Sequence, residues 1–299
     1  MRIPRVFVLQ LRVKCAILIL AGVFAASKPL LAAPTPDRGS IIMKILALGD
    51  VVGEQTLPFL RSHLPEIRRQ YAADLVIVNG ENAADIHGIS PAAVSTLLEA
   101  GADVITSGNH IFDRRDAHTL LEDCPRLLRP CNYPAECPGQ GAYMATSADG
   151  WQVLVINVSG VAFMEPLSSP FQAVQYALDS HRGRYDIAVL DIHAEATAEK
   201  IALARYFDGR VAAIFGTHTH VQTNDAQILP NGSGFITDLG MTGPTGGILG
   251  VRAEEVILRN RTHLPQRFFV ADGPIRAHGA LFDINATTGK ALSVKAIQF

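Results

Sequence analysis

The sequence is short of charge: 18% of its 299 residues are charged and the formal net charge is -2, so it offers no broad basic face for an extended nucleic acid. Tryptophan occurs once and cysteine four times, too few for a disulfide-dense scaffold. No uncharged apolar run reaches the ~20 residues that span a bilayer. The Gly-rich stretch DLGMTGPTGGILG lacks the G-x-x-x-x-G-K-[ST] pattern, which excludes a P-loop. Residues 43–299 contain no linker of Gly, Ser or Pro, no internal repeat and no low-complexity tract, so one domain is expected there. What the chain does have is apolar material, 48% of all residues, enough to bury a large core.

The charge it carries is unevenly placed. Across residues 1–42, Arg2, Arg5, Arg12, Lys14, Lys28 and Arg38 oppose Asp37 alone, which leaves the rest of the chain acidic. Basic residues precede the uncharged stretch CAILILAGVFAAS, and small residues near Ala33 follow it, the shape of a secretory signal. The competing reading is a start at Met43, where MKILALGD opens a buried-strand pattern. Beyond Cys15 there remain Cys124, Cys131 and Cys137, an odd count that argues against an oxidising compartment. Their spacing lacks the C-x2-C knuckle of a zinc site, so they read as structural thiols. The expectation is a start at Met43 and a cytoplasmic enzyme, with export the alternative if residues 1–33 are a signal peptide.

From Met43 onward, short apolar runs (KILALGD, DLVIVNGEN, DVITSGNH, WQVLVINVSG, DIAVLDIHAE, VAAIFGTHTH, GFITDLGMT) alternate with amphipathic ones. LPFLRSHLPEIRRQY, SPAAVSTLLEAG and EATAEKIALARYFDG have helical periodicity, with Ser90 as N-cap before Pro91 and with Gly101 and Gly209 as stops. This alternation predicts an α/β fold with covered sheets. After Arg261, RFFVADG, HGALFDIN and ALSVKAIQF predict a closing antiparallel meander.

Nearly every predicted strand ends in a residue that can bind a metal: Asp50, Glu81 with Asn82, Asn109 with His110, His193, then His218 with His220. In open α/β sheets ligands bind beyond the carboxyl ends of strands, where these groups would meet. Carboxylates, amides and imidazoles together suit Fe, Mn or Zn better than Ca or Mg. Two carboxylates, two amides and three or four imidazoles exceed the need of one ion; two ions sharing Glu81 would account for them. His87 follows the Glu81 block on a predicted loop, a candidate to line the cleft. Asp238 is a candidate partner for a metal-bound histidine.

These blocks, GDVVG, NGENAA, GNHIFD, RPCNYP, DIHAEAT, GTHTHVQT and DLGMTGP, resemble the YmdB-like branch of the calcineurin-like metallophosphoesterases from Met43 nearly to Phe299. The resemblance implies a four-layer α/β/β/α sandwich with two mixed sheets. It implies one metal on Asp50, Glu81, Asn82 and His220 and a second on Glu81, Asn109, His193 and His218, with iron the expected element and Mn or Zn the alternatives. It also implies phosphodiester hydrolysis by a bridging hydroxide, with His110 as proton donor and cyclic nucleoside monophosphates, 2′,3′ or 3′,5′, as substrates. Val52 stands where the broader superfamily has a His in D-x-H, and Glu81 where it commonly has Asp; both are habits of this branch. A nucleotidase-type phosphomonoesterase and a regulatory nucleotide-binding scaffold are the alternatives, and a homo-oligomer is left open.

Overall fold

The computed structural model describes residues 41–299; the signal-like segment of the sequence lies outside the described residues. Two mixed sheets carry the fold. In chain order the elements that build the first are β1 (Ile42–Leu48), β2 (Asp50–Val51), β3 (Leu75–Asn79), β4 (Val104–Thr106), β11 (Met241–Pro244), β12 (Ile275–Asn285) and β13 (Lys290–Gln298). The second contains β5 (Ala142–Thr146), β6 (Gln152–Ser159), β7 (Ile187–His193), β8 (Ala213–Thr217), β9 (Gln227–Ile228) and β10 (Gly234–Ile236). The first is ordered β2-β11-β12-β1-β3-β4 with β13 on β12; the second is ordered β5-β6-β7-β8-β10-β9.

Why both sheets are covered is visible along β1. Ile45 and Ala47 share a core cluster with Val155, Val189 and Phe215 of the other sheet. The intervening Leu46 and Leu48 point the opposite way, into a cluster with Leu60, Leu64 and Leu97. Alternate side chains of a strand face opposite sides, so a strand apolar at successive positions, as β1 is from Ile45 to Leu48, must be buried on both. Leu60 and Leu64 come from α1 (Leu57–Tyr71), and Leu97 from α2 (Pro91–Glu99). α3 (Ala117–Asp123) adds Leu121 to the same cluster. On the outer face of the second sheet, α4 (Pro170–Ser180) and α5 (Thr197–Phe207) supply Val174, Leu178, Leu203 and Phe207.

The helix signals hold in detail. Ser90 Oγ accepts from the Ala93 amide at 3.2 Å, and the chain leaves α2 through Gly101 at φ 108°. The C-terminal expectation needs correction. HGALFDIN and ALSVKAIQF form the antiparallel pair β12 and β13, but in RFFVADG only Val270 pairs, through an isolated bridge to Val251. That segment instead follows α6 (Ala253–Thr262), a helix with no buried residue, and its Phe269 is exposed. Hydrophobic β-formers alone do not make a strand where no sheet edge is offered.

Candidate metal centre

Parallel pairing brings the carboxyl ends of β3 and β4 together in one sheet, and those of β7 and β8 in the other. The residues singled out in the sequence follow these ends. Asp50 enters on β2; Glu81, Asn82 and Asn109 lie just beyond β3 and β4; His193 closes β7; His218 and His220 follow β8. All of them gather at one end of the fold, four from the first sheet and three from the second.

Two sets of contacts are resolved. His193 Nε2 lies 2.6 Å from Glu81 Oε2, 3.0 Å from His218 Nδ1 and 3.2 Å from Asn109 Oδ1. His220 Nε2 lies 3.3 Å from Asp50 Oδ2 and 3.4 Å from Asn82 Nδ2. The backbone amide of His218 donates to Asp50 Oδ2 at 3.2 Å, which links the two sets.

Each imidazole is turned by a partner behind it. Thr217 Oγ1 donates to Asp191 Oδ1 at 2.8 Å, so at 2.9 Å it accepts from His193 Nδ1. His220 Nδ1 reaches the Leu249 carbonyl at 3.0 Å, an acceptor only, and His218 Nε2 reaches Glu195 Oε2 at 3.0 Å. With the outward nitrogens donating, the inward ones, His193 Nε2, His218 Nδ1 and His220 Nε2, point toward the carboxylates of Asp50 and Glu81 and present lone pairs wherever they hold no proton. So many acceptors facing one another are repulsive unless a proton or a metal cation lies among them. Glu81 Oε2 and Asn82 Oδ1 are also buried without a properly aligned hydrogen bond among the described residues. The donor set therefore fits transition-metal ions.

Beneath this cluster lies support that the sequence motifs do not reveal. Asp191 is buried in β7 and also accepts from Thr106 Oγ1 at 2.5 Å and Asn79 Nδ2 at 3.2 Å. Asn79 Oδ1 in turn accepts from the Glu81 amide at 3.0 Å. A signal was available: a carboxylate inside the apolar run IAVLDIH, two residues before His193 and so on its face of the strand. Asp238 differs from expectation, since it touches no imidazole. Its Oδ2 accepts from Thr219 Oγ1 at 2.8 Å and from Lys200 Nζ at 2.6 Å, pinning the residue between the two histidines. That turn is tight, with His218 at φ 95° and His220 at φ 63°. Left-handed backbone at non-glycine residues costs about 1–3 kcal/mol each, which the Asp238 and Asp50 contacts offset. At Gly108 any Cβ would overlap the His193 ring, so the chain passes here only as glycine.

His110 stands apart from the lone-pair cluster. Its backbone amide donates to Glu81 Oε1 at 2.5 Å, and its Nδ1 lies 2.8 Å from Asp113 Oδ2. The His87 ring sits 3.9 Å from the His110 ring, which places His87 in the cleft as its loop position suggested. A cavity of about 320 Å³ opens over Asn82, His218 and His220, with His87 and His110 on its wall.

Burial raises the carboxyls of Asp50 and Glu81, but the neighbouring imidazoles outweigh it and hold both below the usual range. Burial lowers His193, yet Glu81, Asp50 and Asp191 prevail and lift it to about 9. His218 is pushed down to about 4 by burial and then by the charge of His193. A proton thus competes with a cation for His193 Nε2. In the metal-free chain that proton contributes stability fully present below ~6.5 and lost as pH rises through about 9. Metal uptake runs the other way. Loading metal-stripped protein at pH 7 should release a proton and tighten as pH rises toward 9; calorimetric titration in buffers of different ionisation enthalpy checks this, and pH-independent uptake would contradict it.

The chain matches the family described as YmdB-like protein over residues 46–297. It is 42% identical over 255 residues to the 2′,3′-cyclic-nucleotide 2′-phosphodiesterase of Bacillus subtilis, covering 85% of this chain and 96% of the relative. A putative phosphatase/phosphodiesterase of Mycoplasma genitalium is 34% identical, covering 86% and 92%. Among solved structures, a hypothetical protein from Thermus thermophilus superposes with a TM-score of 0.80 at 40% identity, covering 86% of this chain and 99% of that one. A structure titled as a novel phosphatase of Mycoplasma pneumoniae gives 0.81 at 32% identity, covering 86% and 93%.

Proposed function

The chain belongs to the YmdB-like protein family, and on that premise we propose that it is a dinuclear metal-dependent phosphodiesterase acting on small cyclic nucleoside monophosphates. In this reading residues 43–299 form one domain with the four-layer α/β/β/α sandwich of metallophosphoesterases. Asp50, Asn82 and His220 hold one ion, Asn109, His193 and His218 the other, and Glu81 both. The observation that carries it is the convergence of three imidazole lone pairs, two carboxylates and an orphaned amide oxygen at a single end of both sheets. Mixed nitrogen and oxygen donors suit Fe, Mn or Zn, and of these iron is the one the family resemblance implies. The Bacillus subtilis relative carries the 2′,3′-cyclic substrate in its name, which makes that ring the first to assay, ahead of the 3′,5′ form.

When bound, the two ions supply an activated water near neutral pH and neutralise charge on the phosphoryl oxygens. The rest belongs to the chain. His110 is tied by its amide to Glu81 and by Nδ1 to Asp113, which leaves Nε2 to hand a proton to the departing ribose oxygen. His110 Nδ1–H donates a hydrogen bond to Asp113 Oδ2 throughout, which keeps the ring from turning. Asp191, through Thr217, fixes which nitrogen of His193 faces the metal.

The diester assignment is tested by assaying bis-para-nitrophenyl phosphate beside the mono-ester under identical metal loading. A diester preference of at least about tenfold in kcat/KM is expected. Dominant mono-ester hydrolysis would instead favour the nucleotidase reading.

A further inference from the structure

Beyond His110 the site does not end. A second cavity of about 1030 Å³ begins at Ala84–His87, His110, Asp113 and Arg114 and reaches Arg259 and Gln266–Val270. It shares Ile86, His87, His110 and Phe268 with the smaller opening over the histidines, so the two are continuous and His110 stands at their junction. A group that takes its proton from His110 departs on this side. For a 2′,3′-cyclic phosphate the departing oxygen is part of the nucleoside, which must therefore lie in the larger cavity. The volume is at the upper limit of pockets that enclose a whole drug-sized molecule, ~300–1,000 Å³, and exceeds the needs of one nucleoside.

The far wall has its own chemistry. The Arg259 guanidinium lies 5.2 Å from the Phe268 ring centre, and that of Arg267 lies 5.2 Å from the Phe269 ring. Among the described residues neither arginine has a carboxylate within ion-pair distance. On the near wall Arg114 is already paired with Asp116, and Asp113 faces His110. Guanidiniums lying over aromatic rings, without a counter-ion among the described residues, are available as forks for a phosphate. Phe268, shared by both cavities, offers a face on which a base can stack.

Resting on the phosphodiesterase reading, we infer that this cavity is a subsite for a second phosphate on the 5′ side of the reacting nucleoside. The substrate it fits is the cyclic-phosphate end of a short oligoribonucleotide, with Arg259 and Arg267 receiving the preceding phosphodiester. The free cyclic mononucleotide occupies only part of the space.

The test compares adenosine 2′,3′-cyclic phosphate with the dinucleotide ApA ending in a 2′,3′-cyclic phosphate, on the metal-loaded full chain. About tenfold higher kcat/KM for the dinucleotide is expected, as one charge-assisted contact supplies. The advantage should shrink with added salt and fall toward unity in the double variant Arg259→Gln, Arg267→Gln. Hydrolysis of both probes at equal kcat/KM by the parent protein overturns the subsite and leaves the phosphodiesterase reading standing. Hydrolysis of neither overturns both. A preference that survives the double substitution also refutes the assignment, because these two side chains would not be its source.

Discussion

Substituting Glu81 by Gln should abolish turnover, a loss of at least about 10³-fold, and leave less than one tightly held metal per chain. The carboxylate is 1% exposed and lies 2.6 Å from His193 Nε2. A neutral amide can still accept the His110 backbone bond, so the loop holding His110 stays in place. What vanishes is the negative charge that two cations would share. Changes merely behind a metal ligand typically weaken binding 10–100-fold, and loss of a shared ligand acts on both ions at once. Stability should move as well: removing one partner of a buried ion pair costs about 3–5 kcal/mol. Elemental analysis of the purified variant is the decisive measurement, and two metals retained per chain would defeat the bridging role.

Substituting His110 by Ala should separate chemistry from metal binding. Its ring makes no contact with the lone-pair cluster, so metal content should match the parent protein. Turnover of a cyclic nucleotide, whose ribose oxygen is a poor leaving group, should drop by about 10² to 10⁴-fold. Hydrolysis of bis-para-nitrophenyl phosphate should suffer far less, because nitrophenolate departs without a proton. An equal loss on both substrates would mean that His110 positions the phosphate rather than donating a proton.

How much of this was legible beforehand depended on the type of signal. The strand ends and their seven donors could be read because each follows an apolar run and belongs to a residue type with metal affinity. Helices at Leu57–Tyr71 and Pro91–Glu99 could be read from periodicity and caps. Less visible were elements defined only by a partner. Asp50–Val51 is a two-residue strand because Met241 and Thr242 lie beside it. RFFVADG resembles a strand but finds no such neighbour. The turn at 218–220 explains why both imidazoles face inward, since β8 stops at Thr217 and strand alternation does not reach them. Glu195 and Thr217 escaped notice because their role is to hold an imidazole, and a sequence does not record which side chain stands behind another. Arg259 and Arg267 likewise acquire meaning only once the fold carries the segment after α6 to the far side of His110.

Asp50, Glu81, Asn82 and Asn109 belong to one sheet and His193, His218 and His220 to the other, so the bound ions would act as a clasp across the seam. The apolar layer joining the halves gives way to polar groups at this end, where in an apoprotein the proton between His193 and Glu81 is left to offset the facing acceptors. Anything that binds only the folded state deepens its energy well. Maturation by metal would thus harden the chain against proteases in the same event that makes it competent, and a cell starved of the ion would hold fewer copies as well as less active ones.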